Sequence, residues 1–466
     1  MIRLTLLIAL WFVMASGISS LSILIQGWMT QPHSFAIVNC FQILGILSSF
    51  DGVKIFYSET QFFYKKERPP PVNETLMTLF RPSYQSVLNK IQVWNEEHVD
   101  VIYRIHFPLD ITHKAIFDTK YPIILFYAAT RSVFTYSELY SESMRGMNGS
   151  TMHELFDKKR IESTLQEEIR EMPENVYFVT PSPGSAHAMK NLMAPERFRS
   201  HHRVIPHGVD LSVFYNTFNT AARHATRANY GIGPHDIVFL HIGAMVSTKG
   251  IDNMLLMMAS LKMNPHLGSF KLILKGLESV YASESLLRER FDVIADQKIL
   301  TIEAMESLLE SSILFTGATL SFEDMNDLLN AADAYLAPYV SEAFNMPLLE
   351  AIATGIPVFV STNGSATYYI DHILANVPGA ENRIFTLSPE IYLFHEYNYF
   401  ECKSSVLVYS IISHLSQVKQ PLSKYYYYSL QSFLFQHYSW NAVAEQLVNM
   451  MDEVLWRQQQ QQKQQQ

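Results

Sequence analysis

"HDIVFLHIGAMVSTKGIDNMLLMMASLKM", His235 to Met263, is the stretch that decides the fold. Ile237 to Ile242 is apolar at nearly every position, which suits a strand buried on both faces of a parallel sheet. Gly243 then permits a tight turn, and Lys249 and Gly250 stand where a helix begins. From Ile251 the apolar residues recur with helical spacing, so the segment reads strand, turn, amphipathic helix.

The same unit recurs on either side. Downstream, "FKLILKG", "SILFTG", "DAYLAPY" and "IPVFVST" read as strands with helices between them. Upstream, "SILIQGW" precedes a helix-like "HSFAIVNCFQILGIL", and "VKIFYS", "VDVIYRI", "YPIILFYAA" and "NVYFVTPS" are further core strands. Between them "RPPPVNE" reads as a loop and "HELFDKKRIESTLQEEIREMPE" as a charged surface helix. This alternation predicts an α/β chain of two Rossmann-like domains with a cleft between them. Pro206 and Gly208 in "RVIPHGVDLSVF" make a rigid, turned joint. The boundaries expected are 20–204 for the amino-terminal domain and 205–432 for the carboxyl-terminal one. A helix over 433–457 is expected to pack back on the amino-terminal domain, followed by a disordered glutamine-rich tail over 458–466. Tyr425 to Tyr428 read as half-buried helix surface.

Composition narrows the function. The chain has 466 residues, 48% hydrophobic and 17% charged, enough for large cores. A formal net charge of −9 with no long basic block argues against nucleic acid as a partner. Two cysteines, Cys40 and Cys402, exclude a disulfide framework and a thiolate metal cage. The 17 histidines show no metal-ligand spacing, and the adjacent His201 and His202 should point apart, so no metal is expected. At the amino terminus Arg3, an apolar run from Leu4 to Met14 and the small residues Ala15 to Gly17 form a secretory signal pattern. The apolar character extends to Ile25, so residues 1–19 are expected to be a signal peptide or a membrane anchor. That places the protein in the secretory pathway, in the lumen or membrane-anchored, with the cytoplasm as the alternative. The sequons at Asn73, Asn148 and Asn363 occur at about chance frequency and add little.

Open parallel sheets bind ligands beyond the carboxyl ends of their strands, so the strand-to-helix turns are where chemistry is expected. Lys249 beside helix amides outlines a phosphate site, with a solvated lysine as the plain alternative. The second such turn is "SEAFNMPLLEAIATGIPV". Pro347 suits a first helical position and Gly355 a C′ cap, which predicts a helix from Met346 to Thr354. Glu342 then lies on the loop before it and Glu350 one turn inside. A carboxylate accepts two hydrogen bonds from a vicinal diol, as in a ribose or a pyranose. Amides at the helix start suit a diphosphate. The plain alternative makes Glu342 a capping acid and Glu350 a partly buried helix residue.

Together these features resemble the donor domain of GT-B retaining glycosyltransferases, family 4 (glycosyl transferases group 1). The resemblance rests on Gly243 with Lys249 and Gly250, on "IPHGVD" from Ile205 to Asp210, on "AAD" from Ala331 to Asp333, and on the E-x7-E pair Glu342 and Glu350. It is specific over residues 176–371; in the amino-terminal half "PHSFAIVN" from Pro32 is similar to the first loop and helix of some members. The resemblance implies that Glu350 binds the nucleotide ribose and Glu342 the donor-sugar hydroxyls. It implies that Lys249 stabilises the leaving diphosphate, with Gly243, Gly250 and the backbone of Ala343, Phe344 and Asn345 completing the donor site. The implied activity is transfer of a sugar, with retention, from a nucleotide-diphosphate sugar to a carbohydrate, glycan, lipid or protein acceptor. No metal or other cofactor is implied, and membrane association is a further expectation. Two departures stand out: Ala244 replaces an arginine common in the family, and Ala343 a glycine. On the acceptor side His106 could act as base or acceptor contact, and His33, Ser34 and Arg104 could approach the cleft. The rival functions are a nucleotide-sugar epimerase and a catalytically weak nucleotide-sugar-binding protein on the same fold.

Overall fold

The computed structural model of the chain describes residues 21–29, 33–59, 76–105, 119–129, 166–296, 301–362, 364–388, 390–394 and 397–465. The leader over 1–19, His106 and the three sequon asparagines lie outside them. Two parallel sheets organise the described residues. The first comprises β1 (Ser22–Gly27), β2 (Lys54–Glu59), β3 (Gln92–Val93), β4 (Val101–Ile105), β5 (Ile123–Phe126), β6 (Val176–Thr180) and β7 (His202–Val204), in the order β3-β2-β1-β4-β5-β6-β7. The second comprises β8 (Ile237–Ile242), β9 (Phe270–Lys275), β10 (Ile313–Thr316), β11 (Ala334–Ala337), β12 (Val358–Ser361) and β13 (Ile384–Leu387), in the order β10-β9-β8-β11-β12-β13. A separate antiparallel hairpin pairs Glu390–Phe394 with Tyr397–Glu401.

The strands are where the apolar runs place them, because each is covered on both faces. All six residues of β8 are buried, as are all of β5, β6, β11 and β12. Strands β3 and β7 were not legible, being edge strands of two and three residues without an apolar run. His201 and His202 do point apart: His201 stacks on Tyr177 and His202 on Phe198.

The strand order reverses once in each sheet, between β1 and β4 and between β8 and β11. At such a reversal the crossover helices leave to opposite faces and open a crevice at the carboxyl ends of the two central strands. In the second sheet that crevice is bounded by the turn after Ile242 and the loop after Ala337.

The chain passes between the two sheets twice, side by side. Val209 N–H donates to Tyr438 O at 2.7 Å, and Val209 bridges to Ser439. Gly208 is required there: a Cβ would lie 2.7 Å from Cδ2 of Trp440 and 2.9 Å from its amide nitrogen. The final helix, Trp440–Gln465, then packs along the helix Ser34–Ser49 of the amino-terminal domain. Trp440 stacks on Phe41 with 5.2 Å between centroids, and Gly45 leaves room for the Trp440 carbonyl. Farther along, Arg203 Nη2 donates to both carboxylate oxygens of Glu453 at 2.8 Å.

One expectation is corrected here. The glutamine run does not form a disordered tail after residue 457; the helix continues through Gln465. Glutamine is a good helix former, the run contains no glycine or proline, and extending a nucleated helix is easy. Within "YYYY", Tyr426 and Tyr427 are buried while Tyr425 and Tyr428 are exposed. Among the described residues no helix is long and apolar enough to cross a membrane.

Candidate active site

The two turns predicted from the sequence meet at the reversal in the second sheet. Strand β8 ends at Ile242, and Gly243 N–H donates to the Lys275 carbonyl of the neighbouring strand at 3.0 Å. A single 3₁₀ turn, Ser247–Lys249, leads to Gly250 at φ +72° and then to the helix Ile251–Lys262. Gly250 is required on two counts: its left-handed backbone, and a Cβ that would lie 2.3 Å from Pro338 O. That close approach, with Val340 N–H donating to Thr248 O at 2.9 Å, locks the first turn to the loop carrying Glu342.

The lock brings Lys249 and Glu342 together. The Lys249 ammonium pairs with Glu342 Oε2, and lies 4.9 Å above the Tyr339 ring. Ala343 N–H donates to Glu342 Oε1 at 3.0 Å. Both charged side chains are largely covered, at 19% and 21% exposure, so the pair is shielded from salt but still reachable from the cleft. Tyr335 and Tyr339 both donate to the Ile242 carbonyl, at 3.3 and 3.2 Å, which fixes the strand end beneath the pair.

Helix Met346–Thr354 runs over the predicted residues, with Pro347 in its first turn and Gly355 left-handed at φ +75° as its cap. Its N-cap, Asn345, is itself left-handed at φ +73°. Asn345 Oδ1 accepts from Leu348 N–H at 3.2 Å, and Tyr369 donates to the Asn345 carbonyl at 3.1 Å. The Asn345 Nδ2 donor, buried at the cavity wall, meets no acceptor among the described residues. Glu350 faces the same space, half-buried, and burial alone lifts its carboxyl to about 8, so it keeps its proton at neutral pH.

These groups line one cavity of about 570 Å³ between the domains. A space of that size suits a nucleotide-sized ligand. Gly243, Lys249, Glu342, Ala343, Phe344, Asn345 and Glu350 all border it; Gly250 does not and acts through the turn. Phe344 is mainly an anchor, packed on His207 and Tyr369. From the amino-terminal domain come His33 and Ser34. His33 caps its helix through Nδ1, which accepts from Phe35 N–H, leaving Nε2 as the donor. Burial lowers His33 to about 4, so it enters the cleft neutral. Arg104 stays on β4 and is not among the residues bordering the cavity. Ser182 Oγ donates to the Ala343 carbonyl at 2.8 Å and ties the amino-terminal domain to the loop after Glu342.

Among the cavity residues that sequence reading missed are Lys275, His207, Tyr281 and Tyr339. Lys275 was visible as a charge ending an otherwise apolar strand. His207 sat inside "IPHGVD", read there only as a joint.

Residues 222–376 match the family described as "Glycosyl transferases group 1". Over these residues the chain is similar to that family. That range holds Gly243, Lys249, Gly250, Glu342, Ala343, Phe344, Asn345 and Glu350. Lipopolysaccharide glucosyltransferase WaaG of Escherichia coli (strain K12) is 27% identical over 178 residues, 38% of this chain and 40% of WaaG. The chain thus matches well under half the length of that curated relative. Over the whole fold, sucrose-phosphate synthase from Thermosynechococcus elongatus superposes with a TM-score of 0.56 at 14% identity, covering 94% of this chain and 100% of that one. The catalytic domain of starch synthase IV from Arabidopsis thaliana, bound to ADP and acarbose, gives 0.55 at 12% identity, covering 94% and 100%. The domain that matches the family and its amino-terminal partner therefore share the two-domain GT-B architecture.

Proposed function

We propose that this protein is a retaining glycosyltransferase that moves a sugar from a nucleotide-diphosphate sugar to an acceptor hydroxyl. The observation that carries the proposal is the Lys249–Glu342 pair at the sheet reversal, with Glu350 one turn into the adjoining helix and all three on one cavity. The ADP named with the starch synthase fits the same ligand class.

The geometry supports each role. The Glu350 carboxyl reaches the cavity from one turn into the adjoining helix, where it can hold the ribose diol. The amides at the start of that helix and the Lys249 ammonium supply fixed positive charge for the diphosphate, in place of a metal ion. When phosphate takes the ammonium, Glu342 Oε2 is released to accept from hydroxyls of the donor sugar. In the transfer step the bond from the anomeric carbon to the diphosphate oxygen breaks, and a bond to the acceptor oxygen forms on the same face. The acceptor proton passes to the departing diphosphate, so no glycosyl-enzyme is needed. The acceptor enters from the amino-terminal side, past His33 and Ser34. Enclosure between the domains keeps water from competing.

The test is product analysis with donor sugars and candidate carbohydrate acceptors. A glycosylated product with the donor's anomeric configuration, lost in Lys249→Ala and in Glu342→Ala, supports the proposal. Conversion of donor without acceptor identifies an epimerase. Saturable binding without turnover identifies a binding protein, which Ala244 would favour. Full transfer in either variant sinks the assignment of roles.

A further inference from the structure

The cavity contains a second lysine with no role in the mechanism above. Lys275 ends β9 and pairs in register with Ile242, the last residue of β8. Its side chain is only 3% exposed, yet it borders the cavity beside Gly243, Ala244 and Lys249. Its ammonium donates to the Gly276 carbonyl and takes part in no ion pair among the described residues. A buried ammonium held by one carbonyl is an expensive arrangement, and lysines without a task bring the charge out to water. Burial lowers this one to about 8, which leaves it mostly charged at pH 7.

The local charge balance says what it is for. Lys249 and Glu342 cancel one another. Glu350 holds its proton, and His33 and His207 are held neutral by burial. Ala244, at the first turn, offers only a methyl group. Without Lys275 the wall of the cavity would carry no net positive charge, a poor match to a polyanion. We propose that Lys275 supplies the second positive charge for the diphosphate of the ligand, on the opposite side of the Gly243 turn from Lys249. The inference rests on the nucleotide-diphosphate reading of the cleft. Here the neighbouring strand, and not the turn itself, delivers the cation.

Calorimetry with UDP, GDP and ADP, and with the parent nucleosides by competition, separates the inference from that reading. If the wild-type protein binds none of the three diphosphates, the reading of the cleft falls and Lys275 with it. If it binds one, Lys275→Met should weaken that diphosphate about ten- to hundredfold while the nucleoside changes by no more than about twofold. Lys275→Arg should recover most of the loss. A Lys275→Met protein that binds the diphosphate as tightly as wild type overturns the role of Lys275 and leaves the cleft reading intact. An equal loss for nucleoside and diphosphate also overturns it, because the substitution would then act on the cavity as a whole.

Discussion

Replacing Glu350 with glutamine should make the protein more stable at neutral pH, and by an amount that depends on pH. Glu350 is raised from 4.5 to about 8 by burial. For an acid with a raised native value, the native state keeps its proton while the unfolded state loses it, so stability falls as pH rises from about 4.5 to about 8 and is level beyond. At about 1.4 kcal/mol per pH unit, the fall from pH 4.5 to pH 7 is at most about 3 kcal/mol. Water at the cavity mouth screens the half-buried carboxyl, so about 1–3 kcal/mol is the expected range. Glu350→Gln retains the shape and removes the titration. Urea unfolding of both proteins at pH 4.5, 6, 7 and 8.5 should give nearly equal stabilities at the lowest pH and a gap that widens to about pH 8. Parallel curves would refute the reasoning, since they would mean that burial does not hold the proton. A second reading uses the same residue: ribose hydroxyls donating to a carboxylate should drive the proton off. Diphosphate binding at pH 7 should therefore release a proton into buffer, and Glu350→Gln should abolish the release.

Lys249→Ala and Glu342→Ala should each remove at least about a hundredfold of transfer rate, with far-ultraviolet circular dichroism unchanged, because both act on the departing diphosphate and the sugar. Gly250→Ala should cost at least about 2 kcal/mol in urea unfolding, from its φ of +72° and the contact with Pro338 O. Trp440→Ala should cost about 3–5 kcal/mol by the same measure, since the ring is buried between Phe41 and Gly208 where the two domains are joined. An unchanged urea midpoint in either variant contradicts the packing described.

Much of the architecture was legible because parallel strands buried on both faces write themselves as apolar runs. Ile237–Ile242 and Val358–Ser361 are examples. The helix Met346–Thr354 was legible to the residue, because proline and glycine mark its ends by backbone chemistry alone. The acceptor side was less legible. The polar side chains bordering the cavity from there are His33 and Ser34, and a histidine at a helix start looks the same in sequence whether it caps or binds. Lys275 was visible as a charge at a strand end, but its place in the cavity was not. A lysine at a strand end is usually solvated, and only the fold shows that this one is buried and borders the cavity. The Lys249–Glu342 pairing spans 93 residues, so it needed the fold to bring the two turns together. The glutamine run misled because its composition also suits disorder, while a packed helix ahead of it supplies the nucleus.

The measurement that bears most directly on the central claim is a thermal-shift panel of UDP-, GDP- and ADP-sugars on the wild-type protein and on Lys249→Ala. A ligand at a hundred times its dissociation constant adds about 3 kcal/mol to stability. At least one nucleotide sugar should raise the melting temperature of the wild-type protein, and Lys249→Ala should lose most of that rise. No shift with any of the three classes, or an equal shift in both proteins, would contradict the claim that this cleft holds a nucleotide-diphosphate sugar on Lys249.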